Sequence, residues 1–262
     1  MREPVLAVIP ARLESSRLVR KPLHMILGRP LLEWVWIRVS TMSVFDRIVI
    51  ATDSDEVAAL CERMGAPVLL TDPGHPSGTD RVAEVVHSPG FAEFPVVVNV
   101  QGDEPLVEEK HLGAAIELVR EGAWDVGTCA TPIGDVESFS DPAVVKVARG
   151  VDGRALYFSR AGIPHLRDGQ LTPELLNGPP FLRHVGIYAY TREALLRWVA
   201  LPPSPLENTE RLEQLRALEA GIGIGVAVVR EAGPGVDTQA DAKRVGQLLA
   251  TSDTTMMTTE GT

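Results

Sequence analysis

Three short apolar runs constrain this chain most: Val5-Leu6-Ala7-Val8-Ile9, Arg47-Ile48-Val49-Ile50-Ala51 and Phe94-Pro95-Val96-Val97-Val98-Asn99-Val100. A strand with one face in water alternates apolar and polar residues; these runs do not, so both of their faces must be covered. Segments of helical character separate them. Leu31 to Ile37 is one, Val57 to Met64 a second, and Asp80 to Val86 a third, while Val68-Leu69-Leu70 adds a further short strand. Thr52-Asp53-Ser54-Asp55 supplies capping oxygens for the second helix. Alternating strands and helices predict an α/β fold with a mainly parallel sheet covered on both sides. Ligands of such sheets bind beyond the carboxyl ends of the strands, where the loops after Ile9 and after Val100 would lie.

The rhythm changes near Pro132. Lys146-Val147-Ala148 and Ala155-Leu156-Tyr157-Phe158 read as a hairpin around Asp152-Gly153. Residues 162–180 read as a long Gly- and Pro-rich loop, and Arg183 to Tyr190 as strand. The expectation is a single domain over 1–250 carrying an inserted, partly antiparallel lobe at about 132–200. Pro202-Pro203-Ser204-Pro205 ends a helix, Leu206 to Ala220 reads as one more helix, and Ile222 to Val229 as strand. Residues 251–262 are polar and aperiodic, and are expected to be a disordered tail.

A net charge of -10 argues against a general nucleic-acid binder. No stretch approaches the roughly 18 apolar residues of a membrane span. Pro10 and Arg12 come too early for a secretory signal, and Cys61 and Cys129 form no paired motif. The expectation is a cytoplasmic protein with reduced thiols and no membrane or nucleic-acid partner.

Within this acidic chain, Arg12, Arg17, Arg20, Lys21 and Arg29 stand against Glu14 alone. Such an island suits a compact anion; a solvated basic face is the other reading. Backbone N–H groups and forked arginine donors in a loop after a strand suit phosphate oxygens. The loop lacks the spelling of a dinucleotide fingerprint or a P-loop. After the strongest strand, Gln101-Gly102-Asp103-Glu104 puts a carboxylate at the cleft mouth, suited to Mg²⁺ or to a helix cap. Asp237, after Gly233-Pro234-Gly235, carries the same two readings. Ser77-Gly78-Thr79-Asp80-Arg81 offers donors for a base or ribose, or a plain N-cap. Tyr157, Arg160, His184, Tyr188, Glu213 and Gln214 form a possible sugar-reading set, although a histidine such as His184 in an apolar strand is commonly a core residue.

Taken in order, these segments resemble the 3-deoxy-manno-octulosonate cytidylyltransferases, the CMP-KDO synthetase family. The matching pieces are Val8-Ile9-Pro10-Ala11-Arg12, Arg20-Lys21-Pro22-Leu23, Ala51-Thr52-Asp53, Ser77 to Arg81 and Asn99 to Pro105. They continue with Ala155 to Arg160, Arg183 to Tyr188, Ser204 to Glu207, Leu212 to Arg216 and Gly235 to Thr238. The resemblance runs from about residue 5 to 249. It implies a Rossmann-like nucleotidyltransferase three-layer sandwich and a reaction joining CTP to 3-deoxy-D-manno-octulosonate (KDO), with Mg²⁺, in a cytoplasmic homodimer serving lipopolysaccharide-type sugar biosynthesis. Carried over residue by residue, Arg12 and Lys21 bind the triphosphate. Ser77, Gly78, Arg81 and Gln101, with backbone near Ala11, seat the cytidine. Asp103 and Asp237 hold metal, and Arg160, His184, Tyr188, Glu213 and Gln214 face the sugar acid. The catalytic assignments fall on Arg12, Lys21 and Asp103.

Two departures stand out. Val19-Arg20 precedes the Lys-Pro where the family carries Pro and a small or variable residue, which implies altered loop stiffness. Tyr190 follows Ala189 in place of a Gly-Tyr ending. The competing readings are activation of a related 2-keto-3-deoxy sugar acid and a non-catalytic CTP- or CMP-sugar-binding protein. A nicotinamide oxidoreductase is disfavoured by the missing G-x-G-x-x-G.

Overall fold

The apolar runs become strands in a computed structural model that describes residues 2–14 and 17–259. The strands are β1 (Val5–Pro10), β2 (Met25–Ile26), β3 (Arg29–Pro30), β4 (Arg47–Thr52), β5 (Val68–Leu70), β6 (Val96–Asn99), β7 (Val126–Pro132), β8 (Lys146–Arg149), β9 (Ala155–Ser159), β10 (Leu182–Thr191) and β11 (Ile224–Val228). The helices are α1 (Leu31–Ser40), α2 (Asp55–Arg63), α3 (Gly78–His87), α4 (Glu109–Arg120), α5 (Val136–Ser140), α6 (Pro173–Leu176), α7 (Arg192–Val199), α8 (Pro205–Glu210), α9 (Gln214–Glu219) and α10 (Gln239–Thr259). A single turn of 3₁₀ helix, Lys21–Leu23, lies in the loop after β1. The chain divides into two units, one of residues 6–91, 99–109 and 233–262, the other of 1–5, 92–98 and 110–232.

In the first unit β1, β4 and β5 pair in parallel, with Val8 beside Val49 and Ala51 beside Leu69. Leu6 to Ile9 are fully buried, as expected of a strand covered on both faces. Ser54 caps α2 and Ser77 caps α3, so of the capping oxygens expected before α2 it is Ser54 that accepts from the helix. A small apolar cluster of Leu18, Ile26, Leu31, Val236, Ala242, Val245 and Leu249 fixes the first half of α10 against the β1 loop and α1. That helix continues to Thr259, where a tail without regular structure was expected from residue 251; no Gly or Pro interrupts 247–259. Residues 260–262 lie outside the described residues.

In the second unit β11 pairs with β7 in parallel, while β10 pairs antiparallel with both β7 and β8, and β8 with β9. The expected hairpin is present, with Gly153 at φ 95° in its turn. The partly antiparallel strands β8, β9 and β10 fall within the span of the expected insertion. Their unit extends beyond it because β10 also pairs along β7, which in turn pairs with β11. The helix expected over 206–220 is two helices. Arg211, at φ 54°, breaks it in the left-handed region, and the Glu207–Arg216 ion pair (2.5 Å) ties α8 to α9 across the break. The loop over 162–180 holds only the short α6, capped by Thr172.

Candidate active site

The first unit brings the cationic loop and the two candidate metal carboxylates to one cavity of about 360 Å³. Ala11, Arg12, Lys21, Ser77, Gly78, Arg81, Gln101, Asp103 and Asp237 all line it. Its location follows from the strands. The Val100 N–H donates to Val8 O, which carries the Gln101-Gly102-Asp103 turn alongside the end of β1. Glycine is required there, because a Cβ on Gly102 would sit 2.7 Å from Pro10 O. Asp237 arrives by a different route. The Val236 N–H donates to Asp103 O at 2.9 Å, and the Val236 side chain is buried in the apolar cluster beneath.

The two carboxylates share one cation. Lys21 Nζ donates to Asp103 Oδ2 at 2.6 Å and to Asp237 Oδ1 at 2.7 Å, and Arg17 pairs with Asp237 at 3.0 Å. Among the described residues neither aspartate's carboxylate accepts from a helix N–H. Thr238 takes that role for α10, its Oγ1 accepting from the Asp241 N–H. Burial opposes the charge on Lys21, but the Asp103 and Asp237 carboxylates outweigh it and hold its pKa above the ordinary lysine value. The 3₁₀ turn that presents Lys21 begins at Arg20, a non-glycine residue at φ 54° whose guanidinium pairs with Glu56.

Arg12 is exposed on the loop and lines the cavity. Ser77 Oγ accepts from the Thr79 and Asp80 N–H groups and donates to Asp80 Oδ2 at 2.7 Å, so it is both a cap and part of the wall. Arg81 is buried at 2% exposure and its guanidinium reaches Asp53, Thr71 and the Asp72 carbonyl. Arg17 and His75 also line the cavity, outside the residues the sequence pointed to. Arg17 belongs to the cationic island, which was its signal; His75, held by Glu84 at 2.5 Å, gave none beyond its place before Ser77.

Arg160, His184, Tyr188, Glu213 and Gln214 belong to the second unit. Arg160 donates through Nε to Glu210 O, through Nη1 to Pro142 O and through Nη2 to Arg211 O, so its fork holds backbone. His184 Nε2 lies 2.9 Å from Thr128 Oγ1, and its ring meets Phe158 and Tyr188 at centroid distances of 4.9 and 5.4 Å. Burial, with no compensating carboxylate, pushes the His184 pKa down to about 3. Tyr188 packs among His184, Tyr190 and Trp198. Burial first, then Tyr190 and the charge of Glu213, raise its pKa well above the usual phenol value. Gln214 is buried in α9. Tyr190, in the Ala189-Tyr190 departure, is part of the same aromatic group.

A cavity walled by a cationic turn, a serine-capped helix start and paired aspartates, at the carboxyl end of parallel strands, defines a nucleotide-handling α/β protein. The chain belongs to the cytidylyltransferase family, whose profile matches residues 6–224. It is 51% identical over 241 residues to a 3-deoxy-manno-octulosonate cytidylyltransferase of Gemmatimonas aurantiaca, covering 92% of each chain. Its identity to the Pseudomonas fluorescens protein of the same name is 47%, over 92% of this chain and 96% of the other. Among solved structures, a CMP:2-keto-3-deoxy-manno-octonic acid synthetase complexed with CTP superposes with a TM-score of 0.86 at 36% identity, covering 95% of this chain and 99% of that one. A 4-diphosphocytidyl-2C-methyl-D-erythritol synthase of Anaerococcus prevotii shares the fold, at a TM-score of 0.62 and 15% identity.

Proposed function

We propose that this protein transfers the cytidylyl group of CTP to KDO, giving CMP-KDO and pyrophosphate. The observation that carries the reading is the meeting of Lys21, Asp103 and Asp237 in one cavity, in a chain about half identical to a protein named for that reaction. In the reaction the anomeric hydroxyl of the sugar acid forms a bond to the α-phosphorus, loses its proton, and the bond from that phosphorus to the bridging oxygen breaks as pyrophosphate leaves. The nucleophile is a carboxylate-bearing sugar and the electrophile a polyanion, so the barrier is largely repulsion and misalignment. Arg12 and Lys21 offset the phosphate charge, while Ser77, Gly78, Arg81 and Gln101 seat the cytidine.

A divalent cation fits the donor set. Two carboxylate oxygens already converge on one ammonium nitrogen at 2.6 and 2.7 Å, and Mg²⁺ typically takes one or two carboxylates plus water and phosphate oxygens. Bound by Asp103 and Asp237, it would supply charge neutralisation for the triphosphate and lower the pKa of a nearby hydroxyl.

In this reading Arg160, His184, Tyr188, Glu213 and Gln214 face the sugar acid; Tyr188 and Glu213 lie near one another, and Arg160 shapes the backbone around Glu210. The family resemblance supports a homodimer, a cytoplasmic setting and a role in lipopolysaccharide-type biosynthesis. Among the described residues no helix is long and apolar enough to cross a membrane. The deciding experiment follows pyrophosphate release from CTP, Mg²⁺ and KDO, beside other 2-keto-3-deoxy sugar acids. Turnover fastest with KDO is expected. No turnover of any sugar acid by folded protein that binds CTP would favour a non-catalytic binder instead.

A further inference from the structure

Asp53 stands outside the cavity lining, yet its carboxylate joins two of the cavity's walls. Oδ1 accepts from the Leu13 N–H at 3.2 Å, on the loop that carries Arg12; Oδ2 accepts from Arg81 Nη2 at 2.7 Å, on the helix that begins at Ser77. The neighbours of Asp53 close the connection into a ring. Thr52 Oγ1 donates to Ala11 O at 2.7 Å, Thr71 Oγ1 donates to Thr52 O at 3.0 Å, and Arg81 Nη1 donates to Thr71 Oγ1. Thr52, Thr71 and Arg81 are buried at 0%, 7% and 2% exposure. In a buried ring of this kind each bond orients the next, and a missing member leaves its partner unsatisfied. Arg81 has no freedom to choose another direction, because its guanidinium is clamped between the end of β4 and the Thr71-Asp72 segment.

We propose that Asp53 is a positioning residue for the nucleotide: it fixes the separation of the Ala11–Leu13 turn from the first turn of α3, and so the shape of the pocket that receives CTP. It acts through Arg81 and the Leu13 amide and touches no substrate. The proposal rests on the cytidylyltransferase reading for its ligand, and deepens it by naming what sets the geometry of the CTP half of the site.

Asp53→Asn retains an acceptor for the Leu13 N–H and removes the charge facing Arg81. The test measures CTP affinity by calorimetry in Mg²⁺, the KM values for CTP and KDO, and the thermal midpoint. The expected result is a rise of about tenfold in the CTP Kd and KM, with the KDO KM within about twofold of wild type. A merely structural role lowers the folded fraction and hence the apparent kcat, leaving both KM values in place; that outcome overturns the proposal. The double variant Asp53→Asn, Arg81→Lys should lose no more CTP affinity than Arg81→Lys alone, since the two residues act as one unit; additive losses overturn it. If Asp53→Asn leaves too little folded protein, Asp53→Glu is judged by the same KM criterion, and failure of both to fold overturns the proposal because the residue then serves the fold itself. Wild-type protein that binds CTP without turnover sinks the functional reading but leaves the calorimetric arm to decide Asp53.

Discussion

The two units use their polar side chains in opposite ways. In the first, Lys21, Arg17, Asp103 and Asp237 meet as partly exposed ion pairs in one cavity. In the second, polar groups are engaged inward. Lys146 is fully buried, and its ammonium donates to the carbonyls of Asp141, Val144 and Arg160 at 2.8, 2.6 and 2.8 Å. Burial lowers its pKa, and three carbonyl acceptors take up all three ammonium hydrogens. Arg160 likewise holds three carbonyls, and Glu210 holds Ser159 Oγ and the Arg160 N–H. The contrast teaches that residue type does not reveal role. A half-buried arginine such as Arg160, with its donors engaged by carbonyls, shapes backbone, whereas Arg12 is exposed on the wall of the cavity.

The contrast is open to direct attack. Asp103→Ala should lower turnover by about a thousandfold while leaving the fold intact, since Lys21 keeps Asp237 as a partner; pyrophosphate release and a melting curve read the two effects separately. Lys146→Met should do the reverse, removing about 3 kcal/mol of stability in urea unfolding, because three carbonyls that converge on the buried ammonium lose their donor. A Lys146 variant as stable as wild type would erase the distinction.

His184 sharpens it through pH. Its folded pKa, about 3, lies below the ordinary histidine value, so the unfolded chain binds the proton that the folded chain refuses. Its contribution is therefore intact above about pH 6.5 and declines as pH falls toward the folded pKa, by about 2 kcal/mol at pH 5. Unfolding at pH 7 and pH 5 measures this, and His184→Gln should flatten the difference. The smallest effect is expected at Arg20→Gly. Relief of a left-handed residue, about 1 kcal/mol, roughly cancels loss of the exposed pair with Glu56, so the melting midpoint should barely move.

Much of the fold was legible because burial on both faces leaves a direct mark on sequence. Val5 to Ile9 and Val96 to Val98 have no alternative to a covered sheet, and the turn at Asp152-Gly153 announces its hairpin. The helix over 206–220 was misread because nothing local marks Arg211 as left-handed; the break is compensated by the Glu207–Arg216 pair and by Glu210 turning to Ser159. The end of α10 was misread because a polar, aperiodic segment can still extend an established helix.

For the site, the amino-acid sequence by itself determined the chemistry available: cations in one loop, a glycine where Pro10 O comes close, carboxylates after two glycine-bearing turns, and a motif order that resembles one family. Tertiary structure alone decided which groups meet. Asp103 and Asp237 are 134 positions apart and come together because the Val236 N–H reaches Asp103 O and the Val236 side chain has an apolar cluster to fill. Whether Arg81 reads a base or braces a wall depends likewise on Asp53 and Thr71, since hydrogen bonds and charge act over a few ångströms of space regardless of separation along the chain.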